Sequence, residues 1–353
     1  MDIIKKALEL HENGEEFCLA VLIAKSGSAP QVPGAKGIFL RDGRIFGTIG
    51  GGCLEMECRR LGLQALYSGK HLVREFQLDD DFGWDDGLIC GGRVQVLLLP
   101  KPEKYISAFR QALSSRGCLV YDLKEGGVRF DSIEEIERRP LRKGDLFIEP
   151  ILPPERLIIF GGGHIGKELS RLGKELGFFV TLVDDRPEFV SEERVPWVQE
   201  RICEQPEEFA KKIRESVMSL LQGRVVSSDI SEQQASLCKD ISNIQPDETY
   251  ICIVTRGHRN DSKVLRSLVG LPWAYLGMIG SNRKREMIKK EMVSSGLCSE
   301  EEFERVRSPM GLEIGAEGVM EIVVSIAAEL VQVRSEYRGP IAARCGQKRL
   351  VSE

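Results

Sequence analysis

A glycine-rich turn, Gly161-Gly-Gly-His-Ile-Gly166, constrains the fold more than any other part of this 353-residue sequence. It follows an apolar strand pattern at residues 156–160 and precedes leucines at helical spacing over residues 167–176. A second apolar strand, residues 178–183, ends in Asp184. This order of strand, glycine turn, helix, strand and acid is typical of a dinucleotide-binding unit. The sequence therefore predicts a Rossmann-like parallel sheet.

Each residue of this turn has an expected task. Gly161 permits the tight turn, Gly163 lets a pyrophosphate approach the backbone, and Gly166 lets the helix pack on the strand. Asp184 lies 23 positions after Gly161, near the spacing of an acid that binds the ribose of NAD. The turn itself also contains two variable positions, His164 and Ile165. The histidine is either a donor to a phosphate at the helix start or a tolerated variable side chain.

Two further strand ends carry candidate ligand-binding residues. The strand at residues 249–254 is followed by Arg256 and His258, and the strand at residues 275–279 is followed by Ser281 and Arg283. Ligands of open α/β sheets bind at the carboxyl ends of the strands, where these residues are expected. The basic run that starts at Arg283 is alternatively a solvated helix face.

The first half of the chain predicts a separate α+β domain over residues 1–150. Its patterns are a helix at residues 3–12, a hairpin around Asp42-Gly43 and further strands. A proline-containing linker at residues 151–154 separates it from the second domain, residues 155–353. The polar stretch at residues 223–247 suggests an insertion in that second domain.

A second glycine-rich loop leads into a helix of the first domain. Successive N–H groups of Gly50, Gly51 and Gly52 at a helix start suit a phosphate or an oxo group. Cys53 follows at the position where a helix favours thiolate, a soft metal donor. Cys90 lies beside two glycines and is a second candidate. For both thiols the alternative is a buried structural cysteine.

Composition excludes several classes of function. The net charge of −5 argues against a nucleic-acid binder, and no apolar run reaches the length of a membrane span. The first residues lack the features of a secretory signal, so the sequence predicts a cytoplasmic protein. None of the ten cysteines forms a CxxC pair, which argues against structural zinc.

Seven segments together resemble the xanthine dehydrogenase accessory factor family, the XdhC/CoxI proteins. They occur in the order of that family and span almost the whole chain. The segments are Gly27-Ser-Ala-Pro30, Gly47-Thr-Ile-Gly-Gly-Gly-Cys-Leu-Glu55, Cys90-Gly-Gly92, Gly161–Gly166, Thr255-Arg-Gly-His258, Gly277-Met-Ile-Gly-Ser281 and Ser308-Pro-Met-Gly-Leu-Glu-Ile-Gly-Ala316.

The resemblance implies an XdhC/CoxI-type α+β domain before the Rossmann-like domain, and a chaperone that binds molybdenum cofactor. Such proteins support sulfuration of the cofactor by a cysteine desulfurase and deliver it to an apo-enzyme, a molybdenum hydroxylase of the xanthine dehydrogenase type. Through their place in the second segment, Cys53 is the expected contact to molybdenum and Glu55 joins the candidate site. The sequence departs from the family pattern at Arg307, Glu313 and Gly318-Val319. A homodimer is the expectation from the frequency of symmetric assemblies.

Two alternatives remain open from the sequence. The glycine turn and His258 also suit an NAD-dependent oxidoreductase, in which Asp184 and Asp185 would disfavour the 2′-phosphate of NADP. A regulatory protein that senses NAD is the other, since a Rossmann fold does not itself imply redox catalysis. In both alternatives NAD would bind the second domain. A mixed function is also open, in which one half binds NAD while the other carries the cofactor.

Overall fold

The computed structural model describes residues 2–78, 92–132, 138–222 and 244–337. The chain forms two compact units that meet in sequence between Pro153 and Pro154. Unit 1 precedes that point and unit 2 follows it. The predicted fold class is confirmed: an α+β unit comes first, and an α/β unit with a parallel sheet follows.

Unit 1 contains two antiparallel sheets and three helices among its described residues. The helices are α1 (Ile3–Glu12), α2 (Gly52–Ser68) and α3 (Ile106–Ala112). The first sheet consists of β1 (Phe17–Ser26), β2 (Lys36–Leu40), β3 (Ile45–Gly47), β4 (Leu72–Leu78) and β5 (Gly92–Leu99). The second consists of β6 (Gly117–Asp122), β7 (Val128–Asp131), β8 (Leu141–Lys143) and β9 (Leu146–Ile151). Their strand orders are β3-β2-β1-β5-β4 and β7-β6-β9-β8.

The central strand β1 is buried on both faces, which explains its continuous apolar sequence. Side chains alternate across a strand, so Phe17 and Leu19 pack with α1, α3 and the second sheet. Cys18 and Ala20 point the other way and pack under α2. Helix α2 therefore covers one face of the sheet, with the glycine-rich loop at its N-terminal end.

The region between β5 and β6 is not one continuous helix. A 3₁₀ turn at Pro102–Lys104 is followed by α3, which begins only at Ile106. Tyr105 leaves helical geometry at φ −141° and buries its ring completely. Burial of this aromatic side chain explains the interruption of the helix.

Unit 2 is a doubly wound parallel sheet. Its strands are β10 (Arg156–Phe160), β11 (Phe179–Asp184), β12 (Glu200–Cys203), β13 (Thr249–Ile253) and β14 (Tyr275–Met278), in the order β12-β11-β10-β13-β14. Its helices are α4 (His164–Glu175), α5 (Pro206–Leu221), α6 (His258–Leu268), α7 (Asn282–Ser294), α8 (Glu300–Glu304) and α9 (Val319–Tyr337). Leu157 and Ile159 face α4 and α9, whereas Ile158 and Phe160 face α5, α6 and α7.

A mostly buried ion pair links the two sheets of unit 1. The Lys36 ammonium on β2 contacts the Glu149 carboxylate on β9 and donates to the Gly34 carbonyl oxygen at 3.0 Å. The Tyr121 hydroxyl donates to the second oxygen of Glu149 at 2.7 Å. The side chains of Lys36 and Glu149 are only 7% and 12% exposed, so removing either charge leaves the other poorly solvated.

We expect Lys36→Met to lower the free energy of unfolding of unit 1 by about 3 kcal/mol, because Glu149 loses its counter-charge. Chemical denaturation followed by circular dichroism measures the change. The control is Lys5→Met, which removes an exposed ion pair with Asp2 and is expected to cost less than about 0.5 kcal/mol. Equal effects of the two substitutions would contradict the prediction.

Candidate functional site

The loop between β3 and α2 can be built only from glycines at several positions. Gly47, Gly50, Gly51 and Gly52 have φ values of 75°, 144°, 72° and 54°, which side chains disfavour. A Cβ atom at Gly50 would lie 2.9 Å from the ring of Pro30, whereas one at Gly51 would have no atom within 4 Å. The backbone is therefore tightly packed at Gly50 and open at Gly51.

The start of α2 presents free backbone donors. Gly51 is the N-cap residue, and no side chain among the described residues caps the helix. The N–H groups of Gly52, Cys53 and Leu54 belong to the first turn, which has no intrahelical acceptor. The Glu55 carboxylate reaches back to accept the N–H of Ile49 at 3.2 Å. Glu55 thus holds the loop, while the next N–H groups stay available to an anion.

Cys53 is a partly exposed free thiol at the second position of α2. The other cysteine of this helix, Cys58, is fully buried, and burial raises its pKa to about 12 because the apolar core disfavours a thiolate. Burial likewise raises the pKa of the Cys18 thiol. The structure therefore makes Cys53 the thiol of α2 that a ligand can reach. Cys90, the other predicted thiol, lies outside the described residues.

The glycine turn of unit 2 lies between β10 and α4, as the sequence predicts. A Cβ atom at Gly166 would overlap the carbonyl oxygen of Gly161, so α4 starts in direct contact with the turn. At Gly163, the N-cap of α4, a Cβ atom would meet no atom of the described ranges within 4 Å, and no side chain in those ranges caps the helix. His164 is exposed beside this opening, and half-buried Ile165 packs against the core.

Asp184 lies at the end of β11, with its side chain only 4% exposed. Its Oδ2 atom accepts the Gly162 N–H at 2.7 Å. Arg186 donates its Nε to Oδ1 at 2.8 Å and its Nη2 to Oδ2 at 2.9 Å, and its guanidinium lies 3.4 Å from the ring centroid of Phe189. Ribose recognition by Asp184 remains a prediction, and a ribose would compete with Arg186 for this carboxylate.

A second buried ion pair joins three segments at the carboxyl edge of the sheet. Asp261 of α6 accepts from the Thr255 N–H at 3.0 Å and from the Thr255 hydroxyl at 2.5 Å. Lys284 of α7 donates to Asp261 Oδ2 at 2.6 Å and to the Ile279 carbonyl oxygen at 2.9 Å. Both charged side chains are almost fully buried. The pair fixes the loops that follow β13 and β14.

This arrangement corrects the interpretation of residues 283–285 as one basic surface cluster. Lys284 is internal, and Arg285 pairs with Glu286 and Glu304 beside the ring of Phe303. Only Arg283 of the three is exposed. A helix turns about 100° per residue, so three adjacent residues cannot share one face.

The remaining predicted residues of unit 2 lie on neighbouring loops at this edge. Arg256 is exposed after β13. Ser281 is exposed after β14, and its hydroxyl accepts the Lys284 N–H at 3.3 Å as the N-cap of α7. His258 begins α6, but its side chain lies outside the described part of the chain. A Cβ atom at Gly161 would lie 2.9 Å from the Cα of Thr255, so the loop after β10 contacts the loop after β13.

Sequence reasoning did not identify Arg186 or the Asp261–Lys284 pair. The contact of Arg186 with Asp184 has a local signal in the sequence, because the two residues are two positions apart on the same turn. Lys284 has none, since only the sheet topology brings it to Asp261. Within the ranges that the structure describes, no group of three or more histidine, cysteine or acidic side chains could hold a metal ion. No described helix is long and apolar enough to cross a membrane.

Two family descriptions match these two units. The XdhC and CoxI family matches residues 10–77, and the XdhC Rossmann domain matches residues 157–330. The chain belongs to the XdhC and CoxI family. The family resemblance predicted from the ordered segments is thereby confirmed.

Relatives of this XdhC/CoxI-family chain cover nearly its whole length. A probable xanthine dehydrogenase subunit of Bacillus subtilis is 26% identical over 92% of this chain and 95% of its own. The molybdenum cofactor insertion chaperone PaoD of Escherichia coli is 23% identical over 94% of this chain and 88% of its own. A crystal structure described as a xanthine dehydrogenase from Bacillus halodurans has the same fold, with a TM-score of 0.71 at 23% identity. That match covers 95% of this chain and 96% of the other.

The buried Asp184 carboxylate predicts a pH-dependent stability. Despite burial, which acts in the opposite direction, hydrogen bonds from Arg186 and Gly162 lower the pKa of Asp184. The stabilisation is therefore present above the ordinary carboxyl pKa of about 4 and is lost as the pH falls through the lower folded value. We expect Asp184→Asn to cost about 2 kcal/mol at pH 7, and less as the pH falls below about 4.

Denaturant titrations of wild type and Asp184→Asn between pH 7 and pH 3 measure this difference. Exposed Asp185 provides the matched control, because Asp185→Asn is expected to change stability by less than about 0.5 kcal/mol. A difference between wild type and Asp184→Asn that stays constant over this pH range would refute the assigned role of the carboxylate.

Proposed function

We propose that this chain is an accessory chaperone that binds molybdenum cofactor and delivers it to a molybdenum hydroxylase of the xanthine dehydrogenase type. The observation that carries the proposal is the start of α2. There, an open glycine loop, uncapped N–H groups and a partly exposed thiol occur within four residues. The cofactor is the cargo of the protein in this proposal.

The donor set fits the chemistry of the cargo. Molybdenum cofactor is a pterin that carries a phosphate and a dithiolene-bound metal. The N–H groups of Gly52, Cys53 and Leu54 suit its phosphate or an oxo group, because a helix start attracts anions. The Cys53 thiolate would supply a soft ligand for the metal. The open space beside Gly51 leaves room for a group larger than a side chain.

The relatives support the same proposal. PaoD is a molybdenum cofactor insertion chaperone, and the Bacillus subtilis relative is named for a xanthine dehydrogenase. We therefore place the apo-hydroxylase as the acceptor of the cofactor. The proposal includes a cysteine desulfurase as the partner that would supply sulfur for the cofactor while the chain holds it.

Substitution of Cys53 tests the cargo site. We expect the wild-type chain, incubated anaerobically with free molybdenum cofactor and desalted, to retain close to one pterin and one molybdenum per chain. Cys53→Ala is expected to bind the cofactor at least about tenfold more weakly, a loss of about 1.4 kcal/mol, and to retain less of it. Metal analysis and fluorescence of the oxidised pterin measure both components.

Cys203→Ala is the matched control, because Cys203 is an exposed free thiol in unit 2. Its loading should equal that of the wild type. Equal loading of Cys53→Ala and wild type would remove Cys53 from the site. Failure of the wild-type chain to retain any pterin would overturn the chaperone proposal.

A second function, NAD binding by unit 2, has its own supporting observation. The uncapped start of α4 and the open position at Gly163 would accept a pyrophosphate. NAD binding would be shared by the two alternatives considered from the sequence, an oxidoreductase and a sensor of NAD. It is compatible with the chaperone, since the cargo is assigned to unit 1.

Gly163→Ala separates ligand binding from folding at this turn. The added methyl group would meet no protein atom, and φ at this position is −61°. Stability should therefore change by less than about 0.5 kcal/mol. If NAD binds here, calorimetry will show at least about tenfold weaker binding to the variant. No heat of binding from the wild-type chain at millimolar NAD would exclude this second function.

A further inference from the structure

Unit 2 exposes apolar side chains where the loop before α9 meets the helix. These residues are Leu312, Ile314, Val319, Met320 and Val324, named here the 312–324 surface. Ile314, Met320 and Val324 are 52%, 43% and 48% exposed. With Gly315 and Ala316 they line a cavity of about 360 Å³.

Hydrogen bonds hold this surface in place. Glu329, buried in α9, accepts the Gly311 N–H at 2.7 Å. The Ser325 hydroxyl donates to the Leu312 carbonyl oxygen at 2.6 Å, and the Leu312 N–H donates to the Ser325 carbonyl oxygen at 3.2 Å. Both the N–H and the carbonyl group of Leu312 therefore bond to α9, and Gly311 does so as well. These bonds hold the apolar side chains of the loop in a fixed arrangement.

The exposed residues of α9 form a second apolar face on a helix that already has a buried one. Val323, Ile326 and Leu330 pack into the core of unit 2. A helix that packs on one side normally carries polar residues on the other. Met320 and Val324, one turn apart, instead meet solvent. Contiguous exposed apolar side chains of this kind mark interaction sites.

Acidic residues surround the 312–324 surface. Glu313, Glu317 and Glu321 are all exposed, and residues 308–333 contain no lysine or arginine. The N–H groups of Glu317 and Gly318 donate to the Glu321 carboxylate at 2.8 and 3.1 Å and lower its pKa. The charge of Glu321 is thus held in place beside the apolar centre.

We propose that the 312–324 surface is a docking site for a protein partner that presents apolar side chains flanked by lysine or arginine. The inference rests on the proposed function, since it takes the partner to be the apo-hydroxylase that receives the cofactor. Charge complementarity favours this partner over a second copy of the chain, because a symmetric contact would bring like charges together. It also opposes binding to an anionic membrane.

Calorimetric titration of the full-length chain with purified apo-hydroxylase tests the docking site. Met320→Lys places a positive charge in the apolar centre, so we expect binding at least about tenfold weaker. Met287→Lys is the matched control, because Met287 is a 65% exposed methionine on α7, and its affinity should equal the wild-type value. Wild-type affinity should also fall as salt is raised.

A second pair of variants tests the acidic surround. Glu317→Lys should weaken binding, whereas Glu301→Lys, at an exposed acid of α8, should not. Loading with molybdenum cofactor, measured in parallel, should be the same for wild type and Met320→Lys. Unchanged circular dichroism and unfolding temperature confirm that each variant is folded.

Three outcomes would overturn the docking site. In the first, Met320→Lys does not differ from wild type in its binding to the apo-hydroxylase. This outcome includes the case in which neither protein binds the enzyme although both load the cofactor. In the second, sedimentation shows that Met320→Lys dissociates a dimer, so a second copy covers the surface. In the third, the wild-type chain neither loads cofactor nor binds the enzyme, and the proposed function fails as well.

Discussion

Both candidate sites depend on backbone turns that require glycine at particular positions. In unit 2, the start of α4 touches the carbonyl oxygen of Gly161, so only glycine fits at Gly166. In unit 1, three successive residues, Gly50 to Gly52, have positive φ values, which glycine adopts without steric cost. Each turn delivers an uncapped helix start to the protein surface. The same constraint that shapes the backbone therefore leaves N–H groups available for an anion.

The residues around these turns serve two distinct purposes. Glu55, Asp184 and the Asp261–Lys284 pair are engaged within the protein, where they hold the loops. Cys53, His164 and the guanidinium groups of Arg256 and Arg283 remain at least partly exposed. Buried charges in such networks are costly to leave unpaired, so the first group preserves loop geometry. The second group is free to meet a ligand. For this reason the proposed contact to the cargo is Cys53, and Glu55 is given a role within the loop.

The sequence predicts those parts of the fold that have a local signal. The glycine turn, the strands β10 and β13 and the family resemblance all follow from short ordered patterns. Strand β12 lacks such a signal, because its sequence, Glu-Arg-Ile-Cys, has one buried apolar residue and lies at the sheet edge. The pairing of Lys284 with Asp261, 23 positions apart, arises only from the packing of two helices. The basic run at residues 283–285 therefore predicted a charged surface, whereas Lys284 forms a buried ion pair with Asp261.

Hydrogen–deuterium exchange of the full-length chain, with and without molybdenum cofactor under anaerobic conditions, tests the central claim most directly. If the start of α2 holds the cargo, the amides of residues 50–54 will exchange more slowly when the cofactor is present, and those of residues 161–166 will not change. Slower exchange at residues 161–166 with no change at residues 50–54 would contradict the claim. It would place the cofactor at the glycine turn of unit 2.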